Sequence, residues 1–264
     1  MSQNAAFMAT ELRKSDPDRY LLSLFAPGSA RPPLWALFLL SHEIAKTRSV
    51  VSDTRLGQMR LQWWRDRISE IYAGKDGGQI PVLSTLAPVI REKGLSQELF
   101  DQLTYAREFD LEDVPPASID GLKKYAEFTN APLNALALKI IGEESSAEEI
   151  GEISTFFGVY ESLRAVPFML SQGRVMLPDD LLRAKNLSAQ KILDFNHKKE
   201  IVEIIGSISN AISPYRNPKT RFLKIQQRMA QIYLERLKKN NFDFFSPKMQ
   251  LNPPFLELRL ALVH

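Results

Sequence analysis

With 264 residues, 44% hydrophobic and 25% charged, the chain is long enough to bury a sizeable core and too apolar to be disordered. The absence of cysteine excludes a disulfide framework, a thiolate metal site and a cysteine nucleophile. The net charge of +3 conceals a division: residues 101–180 carry −9 and residues 181–264 carry +9, either two faces that attract each other or two partner surfaces.

The first residues lack the basic, apolar, then small order of a signal peptide, and Glu11, Asp16 and Asp18 stand where a mitochondrial presequence avoids acids. Residues 1–15 are expected to be a flexible lead-in or a short helix. Asp16-Pro17 is a helix start, with Asp16 as N-cap and Pro17 at the first position, and Pro27-Gly28 is its stop. Arg31-Pro32-Pro33 reads as a rigid connector, with Pro33 opening a nearly all-apolar helix from Leu34 to about Arg48. Its apolar run, Leu34 to Leu40, falls far short of the ~20 residues that span a bilayer. Ser52 or Asp53 caps the next helix, Arg55 to Tyr72, whose Leu56, Met59 and Trp63, then Ile68, Ile71 and Tyr72, recur in an amphipathic pattern and predict the buried face. Helices follow over 81–91 and 96–111, with Gly94 ending the first and Ser96 capping the second. Another runs from Ser118 to Gly142 with a kink expected at Pro132, and another from Ala147 to Gln172. Beyond a turn at 173–180 come short helical segments at 188–195, then helices at 198–217, 218–237 and 254–264. In the 218–237 helix, Phe222, Ile225, Met229, Ile232 and Tyr233 mark the buried face. No strand-like alternation persists, so the fold class is all-α, one domain of about ten helices.

The three histidines, His42, His197 and His264, are too far apart in sequence for a helical or zinc-finger ligand pair. No nucleophile elbow, dinucleotide fingerprint or Walker loop is present. A helical Asp-x-x-x-Asp pair would hold Mg²⁺ against a diphosphate, since residues four apart share a face. The near match, Glu108-Phe109-Asp110-Leu111-Glu112-Asp113, sits at a helix end before two prolines and reads as a solvated acidic terminus.

Gly173-Arg174-Val175-Met176-Leu177-Pro178-Asp179-Asp180 resembles the Gly-Arg-(apolar)-Tyr-Leu-Pro-x-Asp segment of the squalene/phytoene synthase family, the head-to-head prenyltransferases. Phe109-Asp110-Leu111, Leu122-Lys123-Lys124-Tyr125 and the helix ending at Gly142 are similar to that family's Met-Asp-Leu, Leu-x-x-Tyr and Gly run. The resemblance implies an isoprenoid-synthase-like bundle around a central cavity, and it makes the departures informative. Where the family's first acidic motif falls, after Ser41-His42-Glu43-Ile44, this chain has Ala45, Lys46 and Ser49. Where the second, Asp-Val-Gly-Glu-Asp-like motif belongs, it has Ser162 to Gln172 without an acid, and with Arg164. Loss of those carboxylates would remove the Mg²⁺ that makes diphosphate a leaving group.

Leu56-Gly57-Gln58-Met59-Arg60-Leu61-Gln62-Trp63-Trp64-Arg65, Leu163-Arg164-Ala165-Val166-Pro167 and Phe242-Asp243-Phe244-Phe245-Ser246-Pro247 resemble a particular branch. It holds a mitochondrial complex I assembly factor and its α-proteobacterial relatives. That resemblance implies a catalytically degenerate assembly or accessory factor for the respiratory NADH:quinone oxidoreductase, with no catalytic residues, no metal and no cofactor. It further implies a protein client such as a respiratory complex subunit, and a bacterial cytoplasmic location at the inner face of the membrane. The alternatives are an active prenyl-diphosphate transferase requiring Mg²⁺, and a lipid- or prenyl-chain-binding protein. Residues expected at the cavity or at a partner are His42, Glu43, Arg60, Trp63, Trp64, Arg65, Asp110, Arg164 and Arg174. The basic tail is expected to give peripheral, salt-sensitive membrane or client contact; nucleic acid is not expected, since no recognition motif accompanies the charge.

Overall fold

The structure, a computed structural model, describes residues 3–193 and 196–263. His264 and the expected helix end at Phe195 lie outside them. The described residues form α-helices and connecting turns, without a strand. In chain order the helices are α1 Gln3–Ser15, α2 Pro17–Ser23, α3 Arg31–Ala45, α4 Thr47–Val50, α5 Thr54–Tyr72, α6 Pro81–Lys93, α7 Gln97–Tyr105 and α8 Glu108–Glu112. They continue with α9 Ile119–Ile141, α10 Ala147–Ser171, α11 Asp179–Ala184, α12 Ala189–Ile192, α13 Lys198–Asn210, α14 Arg221–Lys239, α15 Pro247–Gln250 and α16 Leu256–Ala261. The chain divides into two compact units, one of residues through Glu112 with Phe128–Ser146, the other of Asp113–Glu127 with residues from Ala147 on.

The first unit is built on α3. Leu34 to Ser41 are buried without interruption, as a helix apolar all round must be. The helix opens at Arg31 rather than at Pro33: Pro32 and Pro33 occupy its first turn, where no backbone N–H is needed for the helical ladder. Against α3 pack α6, through Val82, Leu83, Leu86, Ala87 and Ile90, and α1. The lead-in is therefore a packed helix: Met8 and Leu12, one turn apart, are fully buried. Asp16 caps α2, its carboxylate accepting from the Arg19 N–H at 2.9 Å. Asp53 caps α5 in the same way, accepting from the N–H groups of Arg55 and Leu56.

The phase of α5 corrects the sequence expectation. Its buried residues are Gly57, Leu61, Trp64, Ile68 and Ile71, whereas Leu56, Met59 and Trp63 are 54%, 67% and 43% exposed. A Cβ on Gly57 would lie 2.5 Å from Leu111 Cδ2, so the helix approaches α8 closely on the side that lacks a side chain. The 96–111 helix is also two elements, α7 and α8.

In the second unit α10 packs on α14. Phe222, Ile225, Met229, Ile232 and Tyr233 are all buried, as their spacing predicts. A second apolar cluster joins Val159, Leu163 and Val166 of α10 to Ile201, Ile204, Ile205 and Ile208 of α13. The Phe242–Phe245 segment closes the end of α14: Phe244 is buried, and the Phe242 ring meets the side of α13 at Gly206, where a Cβ would stand 3.1 Å away.

Candidate functional site

In the first unit the residues singled out by sequence fall on the seam of α3, α4 and α5. Ala45 ends α3, Lys46 joins it to α4, and Ser49 is exposed on α4. The Ser49 hydroxyl donates to the Lys46 carbonyl at 2.7 Å. Glu43 takes the ammonium of Lys46, three residues on, and accepts from Arg60 Nη2 of α5 at 3.4 Å. This turn therefore carries one carboxylate between two cations, each partner about one-third exposed. His42 lies beside it, partly buried. Burial pushes its pKa below the ordinary 6.5, and the nearby carboxylates of Asp16 and Glu43 oppose the shift. Burial thus favours the neutral imidazole.

On α4 and α5, buried polar atoms lack hydrogen-bond partners: Thr47 Oγ1, Arg60 Nε, Trp64 Nε1 and Arg67 Nε. Trp64 is one helical turn beyond Arg60 on α5, so those two share a helix face. Trp63 and Trp64 divide as edge and core, with rings in a T-shaped contact at 4.7 Å and Trp64 buried. Arg60 and Arg65 do not act together. Arg65 Nη2 pairs with Glu108 at 2.6 Å, tying α5 to α8.

The acidic stretch beginning at Glu108 is not a solvated helix end. Glu108 is bound by Arg65, and buried Asp110 pairs with Arg107 at 3.3 Å. Both carboxylates lie in the first turn of the separate helix α8, where the dipole favours them. The break between α7 and α8 reverses the expectation drawn from one continuous helix. Among the described residues, no group of three or more His, Asp or Glu gathers closely enough to hold a metal ion.

In the second unit Arg164 and Arg174 are also tied to their own surroundings. Arg164 Nη1 donates to the Tyr160 hydroxyl at 2.9 Å, and its guanidinium lies 5.0 Å from the Tyr233 ring centre. Tyr160 and Tyr233 stack at 5.1 Å, fastening α10 to α14. Arg174 Nε donates to Asp113 at 2.6 Å, and Asp113 sits in the left-handed region with φ 52°. The partners Tyr233 and Asp113 carry no local sequence signal, since each lies some sixty or more residues from the arginine it meets.

A family model described as squalene/phytoene synthase matches residues 12–254. The human protein named NADH dehydrogenase (ubiquinone) complex I, assembly factor 6 is 28% identical over 266 residues, covering 95% of this chain and 79% of its own. The bovine protein of that name is 29% identical with the same coverage, and the Dictyostelium discoideum homolog is 24% identical over 95% of this chain and 74% of its own. Among solved structures, squalene synthase HpnC from Alicyclobacillus acidocaldarius superposes with a TM-score of 0.71 at 16% identity, covering 91% of this chain and 95% of its own. A dehydrosqualene synthase solved in complex with ligand gives 0.70 at 14% identity, with 99% and 95% covered. These two likenesses carry the fold, an isoprenoid-synthase-like helical bundle.

Proposed function

The chain belongs to the squalene/phytoene synthase family, and we propose that within it this protein is a catalytically degenerate member that assists assembly of the respiratory NADH:quinone oxidoreductase. The observation that carries this reading is the likeness, over 95% of the chain, to proteins named complex I assembly factor 6.

The chemistry at the end of α3 supports it. Magnesium takes hard oxygen donors in near-octahedral array, typically one or two carboxylates completed by phosphate oxygens and water. Here the turn presents Ala45, Lys46 and Ser49, and its carboxylate, Glu43, is already shared between Lys46 and Arg60. A Mg²⁺ ion would have to displace both cations, so this donor set does not fit it. On the α10 side, Arg164 is held on Tyr160 and Tyr233.

Deleting the gene in the source organism tests the reading: NADH:quinone oxidoreductase activity falls and returns with the wild-type gene. Normal activity after deletion overturns it. Calorimetry with farnesyl diphosphate and Mg²⁺ tests the transferase alternative: no metal-dependent binding is expected, and micromolar binding would revive it.

Peripheral membrane contact at the cytoplasmic face is a second part of the proposal. Among the described residues no helix is long and apolar enough to cross a membrane. α16 buries Leu256 and Leu260 yet leaves Leu258 exposed, with Leu262 just after it exposed and Phe255 just before it 76% exposed. A cleft of about 490 Å³ lined by Arg216, Lys219, Lys224, Arg228 and Val263 adjoins the chain just after α16. Apolar side chains beside a cationic cleft suit an anionic lipid surface. Sedimentation with anionic and with zwitterionic vesicles checks this. Binding to the anionic vesicles alone, lost in high salt, is expected; no sedimentation at low salt removes the membrane part.

A further inference from the structure

We propose that the cationic cleft at the start of α14 is a defined binding site for a phosphate-bearing anion of two or more negative charges, a diphosphate or a phosphomonoester. The membrane reading needs only diffuse positive charge on this face. This inference goes beyond it by assigning a site with named residues.

The lining of the cleft is one-sided in charge. Arg216, Lys219, Lys224 and Arg228 bring four cations, Asn217, Gln227 and Gln231 bring carboxamides, and no acidic residue lines it. Its volume of about 490 Å³ falls within the range of roughly 300–1,000 Å³ common to small-ligand sites. Gathering these charges works against the fold, since Lys224 and Arg228 stand four apart on α14, where like charges repel. Nearby acid does not neutralise them fully: Glu235 pairs with Arg228 at 3.1 Å but is shared with Arg259 at 3.6 Å. Among the described residues, the exposed Arg216 and Lys219 side chains take part in no ion pair or hydrogen bond.

The loop that carries Arg216 and Lys219 is fixed at two points. Gln227, 5% exposed, accepts from the Tyr215 N–H at 2.7 Å and donates through Nε2 to the Tyr215 carbonyl at 3.1 Å. Glu149 of α10, also buried, accepts from the Lys219 and Thr220 N–H groups at 2.8 and 2.9 Å. Both clamps hold main chain, so an anion entering the cleft does not have to order the loop, and less of its binding energy is lost. Guanidinium forks and ammonium groups together match the oxygens of a phosphate, and four of them exceed what a single carboxylate can neutralise. No aromatic side chain lines the cleft, so nothing there would stack a nucleic-acid base.

Calorimetry with inorganic pyrophosphate in EDTA, on the 264-residue chain, tests the site. Flotation with vesicles containing phosphatidic acid, a phosphomonoester lipid, is compared with phosphatidylglycerol, a phosphodiester lipid, at matched surface charge. The expected result is saturable one-to-one binding of pyrophosphate, which assigns a soluble anion, or at least tenfold stronger binding to phosphatidic acid than to phosphatidylglycerol, which assigns a lipid headgroup. Replacing both Arg216 and Lys219 by alanine should weaken that binding at least tenfold. Replacing Lys238 and Lys239 removes the same charge from α14 about 15 Å or more along the helix, beyond the ~10 Å screening length at 0.1 M salt, and should change it less than twofold. All four side chains are exposed, and circular dichroism and melting temperature confirm that both variants remain folded. Failure of both probes to bind, an equal loss in the two double variants, or binding unaffected by the loop variant overturns the site. If phosphatidylglycerol vesicles bind as well as phosphatidic acid and the loop variant binds them unchanged, the membrane reading stands and the site fails. If pyrophosphate binds in the cleft and no vesicle does, the site stands and the membrane reading fails.

Discussion

α5 and α14 are both nineteen-residue amphipathic helices, one in each unit, and they spend their apolar residues differently. α14 sends its large apolar side chains inward, against α10, and leaves Arg221, Lys238 and Lys239 exposed. α5 carries two apolar stripes. One is buried in its unit, and the other, Leu56, Met59 and Trp63, faces solvent. A helix whose packing is complete gains nothing internally from a second stripe, so the outward stripe of α5 stands outside the core of its unit.

Four substitutions sharpen or break that comparison. Met229→Ala in α14 removes a fully buried side chain and should cost about 2–5 kcal/mol; guanidinium denaturation followed by circular dichroism measures it. Gly57→Val tests the inward side of α5. Because a Cβ there already meets Leu111 at 2.5 Å, the expected cost is about 1–3 kcal/mol, and a stabilised variant would show that α5 can swing away from α8. Asp53→Ala deletes the side-chain cap of α5 and should cost about 1 kcal/mol, seen as a lowered melting temperature. The smallest effect belongs to Met59→Ser, on the outward stripe, where stability should change by no more than about 0.5 kcal/mol. A loss comparable to that of Met229→Ala would mean that the stripe is part of the core.

The acidic stretch teaches the same lesson at smaller scale. Glu108 and Asp110 look solvated when 96–111 is taken as one helix, because carboxylates at a helix C-terminus are unfavourable. The break after Tyr105 moves them to the start of α8, and Arg65 and Arg107 then neutralise them. Neither the break nor the partner arginine of α5 is visible in a local window.

The sequence by itself determined the all-helical class, the cap at Asp16, a cap of α5 at Ser52 or Asp53 that the structure places on Asp53, the left-handed stop at Gly94 and the buried face of α14. Each of these depends on interactions within a few residues, or on a single apolar stripe that has only one way to be buried. Its motifs also carried the family resemblance. Tertiary structure decided which stripe of α5 turns inward, because Leu111, fifty-four positions after Gly57, sets how closely the helix can approach. It also decided that Glu43 stands between Lys46 and Arg60, and that Arg164 rests on Tyr233. The Glu43–Arg60 and Arg164–Tyr233 pairings join different helices, and the Coulomb and packing terms that select them arise only once those helices are side by side.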